Sequence, residues 1–127
     1  MHDHSQILVV SRDQSLLQTR RLILGTYFQV EAAGRISEAG RMLSEHEFDI
    51  IVLCDTLSEE ECRQIADLVR DQNPQPTLFS LLGPGNGQKA SLVAKRAVNG
   101  APLELLKECA DALGYNLRTS KQRMFAN

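Results

Sequence analysis

The run Ile50-Ile51-Val52-Leu53-Cys54 constrains the fold more than any other part of the chain. Five consecutive apolar side chains offer no polar face, so a strand written this way must be covered on both sides. Strands of that kind belong to parallel sheets, because the helical crossovers that join parallel neighbours also supply the two covering layers. The sequence on either side of the run contains such helices.

Residues 7–10 are a second short apolar run. Asp13 follows as the N-cap of a helix from Gln14, in which Leu16, Leu17, Arg20, Ile23 and Leu24 recur at helical spacing. Gly25 is the expected stop, since glycine takes the left-handed C-terminal conformation at little cost. A strand is expected over 28–33, and a helix through Ile36, Ala39, Met42 and Leu43 leads into the strand at 49–54. Ser58 and Glu61 then make a capping box, opening a helix with Ile65, Leu68 and Val69 on its apolar side that stops near Asn73-Pro74. A strand is expected over 77–82, a loop over 83–87 and the last strand over 92–98. Pro102 opens a final helix with Leu103, Leu106, Ala110 and Leu113 as its buried stripe, ending at Gly114.

Five strands alternating with four or five helices imply right-handed crossovers and a doubly wound parallel α/β sheet in a three-layer sandwich. One domain over 1–127 is expected, with its core at about 6–113 and a C-terminal tail at 114–127. In such sheets ligands meet the carboxyl ends of the strands, so the informative residues lie just after Val10, Leu53, Leu82 and the last strand.

Composition excludes several function classes. A net charge of -2, from 14 basic and 16 acidic residues, gives no global attraction to nucleic acid. The charge is uneven, acidic over 1–75 and basic beyond, and Arg118, Lys121 and Arg123 fall in a tail read as solvated. Direct nucleic-acid binding is not expected. No apolar run approaches the ~20 residues of a membrane span, and the opening residues lack a secretory pattern, so a cytoplasmic protein without a membrane anchor is expected. Cys54, Cys62 and Cys109 show no metal-type spacing and read as reduced thiols. His2, His4 and His46 form no ligand set, and the 83–87 glycine loop matches neither phosphate-binding fingerprint. No cofactor, no metal and no enzymatic activity are expected, because no nucleophile, base and orienter converge at a strand end.

The segments ILVVSRD, FDIIVLCDTLS and PTLFSLL, with the spacing between them, resemble the response-regulator receiver domains of bacterial two-component signalling, over about residues 6–113. The resemblance implies a flavodoxin-like five-stranded sheet. It also implies an acidic pair after the first strand, a phosphate-accepting aspartate ending the third, a Thr or Ser ending the fourth, and a lysine after the fifth. Here Ser11 and Arg12 stand at the acidic pair, Cys54 at the acceptor, and Leu81, or Ser80 one place earlier, at the hydroxyl position. The lysine position falls near Val98 and Asn99, and no aromatic residue lies between Leu82 and Gly114. The interval after Leu81 is also shorter than the resemblance implies, which suggests a trimmed or replaced helix between the fourth and fifth strands.

These differences have chemical consequences. Phosphoryl transfer to a carboxylate uses Mg²⁺, a hard cation that seeks oxygen ligands. A guanidinium at position 12 repels such an ion, and a thiol at position 54 is too soft a ligand for it. The expected function is therefore a stand-alone receiver-like module that binds a protein partner, whether a kinase, a regulator or an output protein, independently of phosphorylation; a homodimer is compatible with it. Any transcriptional effect would then pass through that partner. The final helix and the strand before it, with Lys95, Arg96 and Lys107, are the first partner face to test. Two alternatives are an unorthodox phosphorylatable regulator using Asp55, and a redox-responsive domain in which Arg12 lowers the pKa of Cys54. Arg12 has two other readings, occupying the pocket together with Ser11 or pointing into solvent.

Overall fold

The computed structural model describes residues 6–54, 56–72, 75–82, 96–99 and 102–114. The order is β1 (Gln6–Val10), α1 (Gln14–Leu24), β2 (Gln29–Ala33), α2 (Ile36–Glu45), β3 (Ile50–Leu53), α3 (Glu59–Val69), β4 (Thr77–Leu82), β5 (Arg96–Asn99) and α4 (Pro102–Ala112). All neighbouring strands are parallel, and their order across the sheet is β2-β1-β3-β4-β5. This is the doubly wound, flavodoxin-like order. β3 sits at the centre, which explains its unbroken apolar sequence: all four of its residues are buried.

Strand alternation divides the core into two layers. On one face Ile7, Val9, Ile50, Val52 and Phe79 pack with Leu17 and Leu24 of α1 and Leu105 and Cys109 of α4. On the other, Leu8, Val10, Ile51, Leu53 and Leu78 pack with Leu43 of α2 and Cys62, Ile65 and Val69 of α3. Each of these larger apolar side chains contributes roughly 1.5–3 kcal/mol on full burial. At the amino end of the sheet, Asp49 joins three strands. Its carboxylate accepts from the Gln6 N–H at 2.9 Å, its own N–H donates to the Gln6 carbonyl at 2.8 Å, and its carbonyl accepts from the Thr77 N–H at 3.0 Å.

Several expectations need correction. Leu68 and Leu103, both assigned to apolar stripes, are exposed by 50% and 76%. In α4 the expected Leu106 and Ala110 are buried and Leu113 packs against the core, but Leu105 and Cys109 complete the stripe and Leu103 lies on the outer side. Gly25 ends α1 in a right-handed conformation, with φ -66. Its lack of a side chain serves a close approach, because a Cβ there would lie 2.8 Å from the Arg21 carbonyl oxygen. Gly114, with φ 83, is the left-handed terminator after α4. β5 runs one residue beyond the expected strand, and residues 92–95 lie outside the described residues, as do the 83–87 loop, the helix question between β4 and β5, and the tail beyond Gly114.

One position is under-filled. Gly40 is in the middle of α2, and a Cβ added there would meet only Leu68 Cδ1, at an ordinary 3.7 Å. Gly40→Ala is therefore expected to stabilise the fold by about 0.5–1 kcal/mol, read as a higher urea midpoint with an unchanged slope.

Candidate functional site

In the strand order 2-1-3-4-5, the chain reverses direction of growth between β1 and β3, and the crevice belongs at the carboxyl ends of those two strands. Ser11 and Cys54 occupy those ends. Their backbones continue the sheet: the Ser11 N–H donates to the Ala33 carbonyl at 3.1 Å and the Cys54 N–H to the Val10 carbonyl at 3.0 Å.

The Ser11 side chain is fully buried and ties the two loops together. Its Oγ lies 3.1 Å from Thr56 Oγ1 and accepts from the Asp13 N–H at 3.1 Å. Thr56 Oγ1 also accepts from the Arg12 main-chain N–H at 3.0 Å. Asp13, as expected, caps α1 by accepting from the Leu16 N–H at 3.1 Å. Thr56 belongs to no sequence pattern and meets Ser11 only because β1 and β3 are adjacent.

Arg12 does not enter the pocket; its side chain lies at the surface, 63% exposed, and is paired there. Its Nε donates to both Glu61 carboxylate oxygens, at 3.0 and 2.9 Å, and its Nη2 also pairs with Glu61 Oε2. Glu61 is at the same time the reciprocal partner in the capping box. Its Oε1 accepts from the Ser58 N–H at 2.9 Å, while its own N–H donates to Ser58 Oγ at 3.1 Å. The Arg12 hydrogen bonds hold the Glu61 carboxyl below the usual carboxylate range, helped by the Ser58 N–H and opposed by partial burial, and the same contact raises the Arg12 pKa.

The sign of the resulting pH dependence follows directly. A depressed folded-state pKa stabilises the fold above the unfolded carboxyl value of about 4.3, and that contribution disappears as pH falls through the folded value. The urea midpoint of the wild-type chain is expected to fall more steeply than that of Glu61→Gln as pH drops below about 4.

Cys54 is 1% exposed, and its side chain belongs to the apolar layer of Val52, Leu81, Leu105 and Cys109. Arg12 directs its guanidinium to Glu61. Burial, and secondarily the charge of Glu108, pushes the Cys109 thiol up to about 12, so it remains protonated. The register Leu53↔Ser80 sets Leu81 level with Cys54, and the two share one face. Ser80, 2% exposed, is offset by one residue and alternates away from that face. At the described positions matching the receiver pattern, then, the structure gathers a serine, an arginine, a buried thiol and a buried leucine. Asp55 lies outside the described residues.

Solved structures with the same chain path are numerous. A response-regulator signal receiver domain from Bermanella marisrubri superimposes with a TM-score of 0.72 at 24% identity, over 87% of this chain and 98% of its own. The signal receiver domain of an HD domain-containing protein from Pseudomonas fluorescens Pf-5 gives 0.71 at 20% identity, covering 90% of each chain. The chemotaxis protein CheY4 of Vibrio cholerae gives 0.70 at 20% identity, over 86% of this chain and 98% of its own. The fold is that of a receiver domain. No family model and no curated protein matches the chain. Among the described residues, no helix of this receiver fold is long and apolar enough to cross a membrane.

Proposed function

We propose that the chain is a non-catalytic, phosphorylation-independent protein-interaction module built on the receiver fold, acting in two-component signalling. The observation that carries this reading is the burial of Cys54, 1% exposed in an apolar layer at the end of β3, where the receiver pattern calls for a phosphate-accepting carboxylate. A thiol there is a poor ligand for Mg²⁺, and Ser11 and Arg12 supply no carboxylate beside it. Asp13 and Glu61 are committed, the first to the start of α1 and the second to Arg12 and Ser58.

Incubation with a small phosphodonor and Mg²⁺, followed by intact mass measurement, tests the reading. No added phosphate is expected. A phosphate adduct that disappears in Asp55→Asn would replace this reading with that of an unorthodox phosphorylatable regulator. The first partner face to probe is α4, where Lys107 and Leu103 are exposed. Capture of a kinase, regulator or output protein from the native cell is expected to be weakened by substitution at these two positions and unaffected by phosphodonor.

A further inference from the structure

We propose that Arg12 and Glu61 form a latch that keeps the β1–α1 loop closed on the first turn of α3, so that the two loops bordering Cys54 open and close as one unit. The proposal deepens the phosphorylation-independent reading by naming what holds the site in a single arrangement, and it rests on that reading for its functional meaning.

Three features distinguish this pair from an ordinary surface ion pair, which contributes little because two long side chains must be ordered to make it. The contact is forked, with Nε and Nη2 both engaged on one carboxylate, a geometry that is stronger and more specific than a single contact. Both ends are also held by hydrogen bonds outside the pair. The Arg12 main chain is held by Thr56 Oγ1 at 3.0 Å, and the Glu61 carboxylate is held by the Ser58 N–H at 2.9 Å. The exposures are also unequal, 63% for the Arg12 side chain and 13% for that of Glu61, so the acid sits in the wall and the base closes over it.

Beneath the ion pair, the Ser11 and Thr56 hydroxyls, 3.1 Å apart, join the same two loops a second time. Another exposed ion pair, Arg70 with Asp67, lies at the end of a single helix and joins nothing distant. The Arg12–Glu61 contact spans 49 positions of sequence.

The test is amide hydrogen exchange on the intact chain, with the amides of residues 12, 58 and 61 as reporters. Arg12→Ala removes no hydrogen bond made by Ser58 or by the Glu61 main chain, so a capping box acting alone would leave those two amides unchanged. The latch predicts that they exchange about 5- to 10-fold faster. Glu61→Gln keeps an oxygen for the Ser58 N–H but loses the charge, and the residue 12 amide is expected to accelerate by a similar factor. The double variant should exchange no faster than the faster single variant at each reporter, because both substitutions open the same contact.

Unchanged Ser58 and Glu61 amides in Arg12→Ala would overturn the latch, as would additive effects in the double variant or acceleration spread evenly across the β1 and β3 amides. Each of those results leaves the phosphodonor experiment to decide the functional reading separately.

Discussion

Placing an aspartate at position 54 is expected to damage the protein without making that residue a phosphate acceptor. Cys54→Asp would introduce a carboxylate among Val52, Leu81, Leu105 and Cys109 at a site that is 1% exposed. An uncompensated buried charge costs about 3–5 kcal/mol, a large share of the 5–15 kcal/mol that typically stabilises a domain. The aspartate can reduce this penalty by taking up a proton, and its pKa then rises. Stability of the variant should therefore improve as pH falls towards 5, opposite to the acid-labile contribution of Glu61. Urea unfolding at pH 5 and pH 8 checks the sign. The variant should also gain no phosphate from a small phosphodonor with Mg²⁺, because position 12 still carries a guanidinium and position 11 a hydroxyl. A variant as stable as the wild type that becomes phosphorylated would show that the site is one substitution away from working.

Phe79→Ala is the second large effect. Phe79 is the bulkiest fully buried side chain among the described residues, and it lies on β4 in the layer that carries α1 and α4. Truncation leaves a cavity that the surrounding sheet can only partly close, at an expected loss of about 3–5 kcal/mol in urea unfolding. The loss has a functional side as well. Leu105 and Cys109 of α4 share this layer, so the variant should hold the proposed partner face less firmly and capture less partner even under conditions where it remains folded.

The elements that could be read from the sequence are those whose signal is local. The apolar run of β3, the Asp13 cap and the Ser58–Glu61 capping box all involve residues within a few positions of one another, and each is present in the structure. What could not be read was decided by packing or by pairing across distance. Leu68 and Leu103 fit the helical period as Ile65 and Val69 do, but the helices turn Cys62 in α3 and Leu105 and Cys109 in α4 inward in their place. Gly25 was legible as a terminus and misread in its mechanism, because a close carbonyl and a left-handed turn both favour glycine. At the candidate site, the substituted positions were visible but their partners were not. Thr56 has no distinguishing pattern around it, and Glu61 already had a sufficient local explanation as half of a cap.

That double duty makes the two ends of one contact unequally replaceable. Arg12 can be exchanged with loss of a single side-chain relationship, whereas every change at Glu61 other than that to Gln disturbs both the loop contact and the start of α3. In a saturation library sorted only for folded protein, position 12 should accept many residues and position 61 few. A screen for variants that loosen the loops without unfolding the domain would therefore find most of its answers at 12 and, at 61, only the change to Gln, even though both positions make the same bond.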